Sequence, residues 1–352
     1  MNQTSNISEL SIVAKALMAP GKGILAADES DATIKKRFAS IDLESNPASR
    51  ITYREMLFTA QGLENYISGV ILFDETIRQN ASSGESFVKV LEQKGILPGI
   101  KVDLGTEPFG TAGEKLTRGL EGLESRVREY VSFGAKFAKW RAVFTIGEGL
   151  PTDGCVKENA LRLARYAKVC QLAGLVPIVE PEVLMDGSHT QQHCEAVTER
   201  VLAEVFVQLK QQEVDLAGIL LKPNMVVSGS ECPAQASSSE VADATLRVFV
   251  KTVPAEVPGI VFLSGGQSPA EATKNLNEMN THKDLPWPLS FSYGRALQAP
   301  ALQAWAGKSE NINAAKAAFL RRAELNSLAR SGVYLPEMEN PENSALNLSS
   351  QD

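Results

Sequence analysis

Short apolar runs alternate along the chain with longer segments of mixed apolar and polar character. Eight runs are short enough, and continuous enough, to read as buried strands: 23–28, 67–73, 99–103, 137–144, 176–182, 218–222, 260–264 and 289–293. Between them, apolar positions recur three and four residues apart, which predicts helices over 49–61, 123–133, 158–173, 191–211, 239–251 and 269–279. Gly174 stands where a helix C-terminus favours glycine. Ser268 and Pro269 supply a cap followed by a proline at the first helical position. Eight strands alternating with helices at roughly thirty- to forty-residue intervals predict a (β/α)8 barrel. A doubly wound open sheet is the rival, but it normally carries a glycine-rich nucleotide turn. Neither GxGxxG nor GxxxxGK[ST] occurs. No linker interrupts the pattern, so residues 1–335 are expected to form one domain, with 336–352 as a flexible tail rich in Glu, Asn and Ser.

Some of these strands carry charge in positions that packing alone does not explain. The run Ala217-Gly-Ile-Leu-Leu ends in Lys222, with Pro223 closing the strand. A lysine ending a buried strand is paired, deprotonated or at the mouth of a cavity. Alternate side chains of a strand face opposite ways, so Lys139 shares a face with Arg141, Glu180 with Glu182, and Lys101 with Asp103. Helices cover the outside of such a barrel, so the charged faces point inward. Internal ion pairing accounts for any one of these residues, but poorly for two lysines, an arginine and two glutamates converging. Lys222 is therefore a candidate covalent catalyst.

Two segments point to phosphate. Ser264-Gly265-Gly266-Gln267-Ser268 leads from the seventh strand into a helix N-terminus, presenting backbone N–H groups and a positive dipole end. Ser292-Tyr293-Gly294-Arg295 follows the eighth strand and adds a guanidinium suited to a two-bonded grip on phosphate. Phosphate sites in barrels commonly follow strands seven and eight. Lys35, Lys36 and Arg37, on the helix after the first strand, form a second cationic patch, for which a solvated helix face is the alternative.

Composition narrows the classes. The 352 residues are 43% hydrophobic, enough for a large core. Formal charge is −7, with no basic block or aromatic–basic interleaving, which argues against nucleic acid. No apolar run is long enough to span a bilayer. The opening residues Met1 to Leu10 lack the pattern of a signal or transit peptide, so a cytoplasmic location is expected, or plastid stroma if a transit peptide has been removed. The four cysteines show no CxxC spacing and are expected to be free thiols. The three histidines include His189 and His193 at helical spacing but no third ligand motif, so no metal or other cofactor is expected.

Seven motifs together resemble class I fructose-bisphosphate aldolases, with the plant and bacterial branch the closer likeness. They are Leu25-Ala-Ala-Asp28-Glu29-Ser30, Gly99-Ile-Lys101-Val-Asp103, Phe137-Ala-Lys139-Trp-Arg141, Ile178-Val-Glu180-Pro-Glu182, Leu221-Lys222-Pro223-Asn224, Leu263-Ser264-Gly265-Gly266-Gln267-Ser268 and Phe291-Ser292-Tyr-Gly294-Arg295. They run in order over nearly the whole chain. The resemblance implies reversible cleavage of fructose 1,6-bisphosphate to dihydroxyacetone phosphate and glyceraldehyde 3-phosphate, in a homotetramer. It implies Lys222 as the Schiff-base lysine, Glu180 as the proton-handling acid and Asp28 as base for the C4 hydroxyl. Lys139 and Glu182 match residues assisting around the imine. Ser264, Gly265, Gly294 and Arg295 match the C1 phosphate site, with Gly266 and Ser292 beside them, while Lys36, Lys101 and Arg141 match residues toward the other phosphate. Burial and the Lys139 cation are expected to depress the Lys222 pKa, and apolar neighbours Val179 and Pro181 to raise that of Glu180. Three features depart from the family: Leu104 where a lysine is common, Thr33 where a serine often binds phosphate, and no aromatic after Tyr334 where the animal enzymes end in a catalytic tyrosine. Transaldolase and deoxysugar-phosphate aldolases share the imine but not two phosphate sites. A non-catalytic sugar-phosphate-binding or scaffolding barrel is the alternative from another class.

Overall fold

All eight apolar runs become parallel strands of one closed barrel. The computed structural model describes residues 3–110 and 113–340. Its strands are β1 (Gly23–Ala27), β2 (Ile67–Leu72), β3 (Leu97–Lys101), β4 (Thr106–Phe109), β5 (Glu114–Thr117), β6 (Phe137–Phe144), β7 (Val176–Val183), β8 (Leu220–Leu221), β9 (Ile260–Phe262) and β10 (Leu289–Tyr293). The barrel closes in the order β1-β10-β9-β8-β7-β6-β3-β2, while β4 and β5 form a separate antiparallel hairpin. Helices follow the barrel strands, giving the (β/α)8 architecture.

Strand parity separates two apolar layers. Leu25, Val70, Ile100, Ala138, Trp140, Val179, Leu221 and Phe262 face outward into the large helix-covered cluster. Ile24, Ile71, Phe137, Val176, Ile178, Leu220 and Val261 face inward and meet Leu10, Ala14 and Leu17 of the helix Gln3–Leu17, with Met18 just beyond it. That helix plugs the N-terminal end of the barrel. The interior is therefore apolar and filled at the bottom, and the charged residues of the same inward faces lie higher, toward the strand C-termini. Arg330 holds the plug in place: its guanidinium donates to the carbonyl of Met18 at 2.6 Å and to those of Ala19 and Lys22. Met18 lies just past the helix end, where carbonyls lack an intrahelical partner, while Ala19 O also accepts from the Lys22 N–H at 3.1 Å and Lys22 O from the Ser290 hydroxyl at 2.8 Å.

The floor depends on glycine. Phe137 places its ring across the inner faces of β2 and β3, where a methyl group on Gly99 would overlap the ring. A methyl on Gly69 would lie 2.6 Å from Cδ2 of Leu17. Neither glycine is needed for its backbone angles; each gives room to a neighbour's side chain.

Several elements differ from those predicted. The strand expected over 218–222 shortens to Leu220–Leu221, because Leu216–Gly218 forms a 3-10 turn capped when the Asp215 carboxylate accepts from the Ala217 N–H at 3.2 Å. Local bonding competes with the ladder there. The helix expected from residue 158 begins at Asp153, since Thr152 caps it and is itself gripped by Glu114 of β5 through both N–H and hydroxyl (2.8 and 2.7 Å). The hairpin β4–β5 carries no apolar alternation and was not predicted. Of the tail expected from 336, Pro336–Glu339 is a docked turn whose Glu339 pairs with Arg322 at 2.7 Å; residues 341–352 lie outside the described residues. All four cysteines are free and buried, and burial, reinforced by Glu114, pushes the Cys155 thiol up to about 12.

Gly99→Ala forces a methyl against a ring held in a packed floor, an overpacking penalty of about 1–3 kcal/mol. The expected outcome is a lower urea midpoint with an unchanged denaturant slope; an unchanged midpoint would show that the ring has room to move.

Candidate active site

The inward-facing charges meet above that floor. Register aligns Lys139 with Ile178 and Arg141 with Glu180 across β6 and β7, and Lys101 with Lys139 across β3 and β6. Asp28, the next residue on β1's inward face after Ile24 and Ala26, enters from the opposite side. Lys222 follows β8. Although β8 is short, its exit is fixed by bonds to its neighbours: the Lys222 N–H donates to Val179 O at 2.8 Å, and the Asn224 carboxamide accepts from Val183 N–H at 3.0 Å and donates to Thr198 at 3.2 Å.

The result is a chain of buried charges. Lys139 Nζ lies 2.7 Å from Asp28 Oδ2 and 3.2 Å from Glu180 Oε2, and Lys222 Nζ lies 3.3 Å from Glu180 Oε1. All four residues are at least nine-tenths buried. Two carboxylates and two ammoniums cancel, which is what makes their burial tolerable. Burial pushes the Asp28 carboxyl up, yet Lys139, Lys222 and Lys101 outweigh it and hold the group well below the ordinary carboxylate range. Burial likewise pushes the Lys139 ammonium down, but Asp28, Glu180 and Asp103 outweigh it and hold it well above the ordinary lysine value. Lys139 is thus a fixed cation.

Lys222 and Glu180 are both buried, and their contacts come from across the barrel. Lys222 does not face the Lys139 cation directly, because the Glu180 carboxylate stands between them. The apolar neighbour Val179 packs outward, as parity requires, so the Glu180 carboxylate is enclosed by two ammoniums rather than by its strand neighbours.

These groups open into a cavity of about 1010 Å³ at the C-terminal end of the barrel. Asp28, Lys139, Glu180, Glu182 and Lys222 lie at its base, and Lys36, Lys101, Arg141, Ser264, Gly265, Ser292, Gly294 and Arg295 also line it. Lys101 donates to Asp103 Oδ1 at 2.6 Å, and Arg141 is paired with Glu182. Ser292 buries its hydroxyl at the cavity wall with no partner among the described residues. Arg295 donates from Nη2 to Gly265 O at 2.9 Å, tying the loops after β9 and β10 together. Gly265 has φ +54°, a conformation that favours glycine. Gly266 is the exception among the expected binding residues: it does not line the cavity, and its N–H donates to Met185 Sδ at 2.8 Å.

Lys36 and Arg37 line the cavity, and Lys35 does not. Sequence reasoning missed the role of Glu29. It lines the cavity beside Asp28, pairs with Arg37 and, at 2.5 Å, with Arg54, and accepts from Gln298 at 2.9 Å. Burial pushes the Glu29 carboxyl up, but the two guanidiniums outweigh that and lower it. Nothing local marks Glu29 in the sequence, since its partners lie on three other segments. His189 precedes the helix Gln191–Gln211 and His193 lies exposed in its first turn, away from the cavity.

The folded value for Asp28 lies below the ordinary value of ~3.9, so its contribution to stability is complete above that pH and is lost as pH falls through the depressed value. Urea midpoints of the wild type should therefore fall on acidification below about pH 4, and those of Asp28→Asn should fall less steeply over the same window. Parallel curves would mean that Asp28 is not held low in the folded state.

Comparison with known proteins agrees with this arrangement. A family model described as fructose-bisphosphate aldolase class-I matches residues 9–351. A probable class 1 fructose-bisphosphate aldolase of Xanthomonas axonopodis pv. citri is 52% identical over 94% of this chain and 99% of its own length. The cytosolic fructose-bisphosphate aldolase 4 of Arabidopsis thaliana is 55% identical over 90% of this chain and 81% of its own. A solved fructose-bisphosphate aldolase of Plasmodium falciparum superposes with a TM-score of 0.93, at 50% identity, covering 94% of this chain and 96% of that one. With barrel, charge cluster and family model in agreement over nearly its whole length, the chain belongs to the class I fructose-bisphosphate aldolase family.

Proposed function

We propose that this chain cleaves fructose 1,6-bisphosphate reversibly through an imine on Lys222, and the observation that carries the reading is the Lys222–Glu180–Lys139–Asp28 chain of contacts at the cavity base. The family itself performs aldol cleavage of fructose bisphosphate. At neutral pH only about one free lysine in 2500 is unprotonated, so an amine nucleophile needs a proton acceptor in contact. Glu180 is that acceptor, 3.3 Å away. The neutral amine attacks the C2 carbonyl, giving a carbinolamine. Glu180 then returns the proton to the departing hydroxyl, releasing water and leaving a protonated imine. Asp28 takes the C4 hydroxyl proton, the C3–C4 bond breaks, and its electron pair flows into the imine. Glyceraldehyde 3-phosphate departs; the enamine is protonated at C3, and water hydrolyses the imine to free dihydroxyacetone phosphate and Lys222. Lys139 stays charged throughout, holding Asp28 and Glu180 in place on either side of the reacting carbons. Glu182 holds Arg141.

Two anion sites orient the sugar. Ser264, Gly265, Gly294 and Arg295 suit the phosphate nearer the imine, and Lys36, Lys101 and Arg141 suit the other. Orientation of this kind converts binding energy into rate. Gly266 enters this site only if its N–H leaves Met185. The fold of residues 1–335 acts as one domain, and family likeness favours a homotetramer. The cytosolic plant relatives favour a cytoplasmic location. No helix among the described residues is long and apolar enough to cross a membrane.

Borohydride added with fructose 1,6-bisphosphate should leave a reduced adduct on the peptide carrying Lys222, and Lys222→Ala should lose turnover by several orders of magnitude. An adduct on Lys139, or none in protein that binds the sugar, removes the assignment. Arg295→Ala should raise KM for fructose 1,6-bisphosphate far more than it weakens an unphosphorylated ketose; equal losses would remove the phosphate role.

A further inference from the structure

Met185 lies on the loop after β7, three residues beyond Glu182, and reaches the loop after β9. Its sulfur accepts the Gly266 N–H at 2.8 Å and fills the place where any other residue would carry a side chain. A Cβ on Gly266 would lie 2.5 Å from Sδ, 3.1 Å from Cγ and 3.2 Å from Cε of Met185; one on Gly265 would lie 3.6 Å from Sδ. The thioether therefore covers the Gly265–Gly266 turn. The backbone beneath it is pinned, since Ser230 N–H donates to Met185 O at 2.7 Å and Glu231 N–H to Gly187 O at 2.9 Å. Sliding the whole loop to relieve a change at the sulfur would break those bonds.

We propose that Met185 is a modification site, oxidised by hydroperoxides, whose sulfoxide weakens phosphate binding by displacing the Gly265–Gly266 turn. The inference rests on the phosphate role of Gly265 and Arg295 proposed above. In the reaction the peroxide O–O bond breaks, one oxygen is transferred to a sulfur lone pair to give the sulfoxide, and the other leaves as water. The sulfur is oxidised and the peroxide reduced. Selectivity follows from exposure. Met18, Met56, Met225 and Met279 are buried, whereas Met185 and Met338 are the partly exposed methionines among the described residues. The four thiols are buried as well.

The consequence follows from size. With the sulfur 2.8 Å from the Gly266 nitrogen, already inside van der Waals contact, no oxygen fits between them. The sulfoxide must turn away or push the turn, and it changes a flexible apolar group into a polar one. Movement of the turn carries Gly265, whose carbonyl holds Arg295 at 2.9 Å. The loss expected is that of about one loop hydrogen bond, roughly three- to tenfold in KM, with kcat changed less.

The test treats the enzyme with dilute hydrogen peroxide, quantifies Met185 and Met338 sulfoxide by peptide mass spectrometry, and measures kcat and KM for fructose 1,6-bisphosphate before and after. Met185→Leu and Arg295→Ala are measured in parallel. The expected result is a rise in KM that tracks Met185 oxidation and is absent in Met185→Leu, each protein being compared with its own untreated state. A rise of equal size in Met185→Leu overturns the inference, as does extensive Met185 oxidation with KM unchanged. If Arg295→Ala raises KM while Met185 sulfoxide does not, only the Met185 inference falls. If neither raises it, the phosphate reading falls and this inference with it.

Discussion

One buried ammonium organises the centre of this barrel. Lys139 has carboxylates on both sides, Asp28 from β1 and Glu180 from β7, and Glu180 in turn reaches Lys222. Removing a partner from such a set strands a charge in low dielectric, typically at about 3–5 kcal/mol. The geometry is therefore strongly determined, and it ties β1 across the barrel to the adjacent pair β6 and β7. The two lysines sit in different surroundings. Lys139, in contact with two carboxylates, stays charged. Lys222 touches one carboxylate, that of Glu180, and lines the same cavity.

The charge set works only because the barrel is divided along its axis. Below it, Phe137 and the helix Gln3–Leu17 fill the bore with apolar side chains, and Gly69 and Gly99 make the room. Above it, the loops after β9 and β10 bring Gly265, Gly294 and the Arg295 guanidinium to the cavity. Arg54 and Gln298, from the helix layer, bind Glu29, and Glu29 binds Arg37, so the helices fix one cation at the cavity.

Strand length matters less than strand exit. β8 has two residues in the ladder, yet Lys222 is among the best-fixed side chains of the site, because its N–H and the Asn224 carboxamide bond directly to β7 and to the following helix. The position of Lys222 is held by hydrogen bonds made after the strand has ended.

Alternation of apolar and charged residues was enough to recognise the barrel, to choose the inward faces of β3, β6 and β7, and to single out Lys222, because a two-residue period on a helix-covered strand allows only one direction for charge. The Ser264–Gly265 and Gly294–Arg295 loops were legible for a similar reason: turn chemistry and helix starts are local. What the chain alone did not reveal is who touches whom. Val179 and Pro181 adjoin Glu180 in sequence, but its carboxylate meets two lysines from other strands. Glu29 adjoins Asp28 and lines the same cavity, yet its carboxylate pairs with Arg37 and Arg54 rather than with a lysine. Gly266 carries the local features of a phosphate ligand, and its N–H is taken by a methionine eighty-one residues away. Each of these outcomes turns on contacts between segments distant in sequence, and such contacts exist only once the barrel has closed.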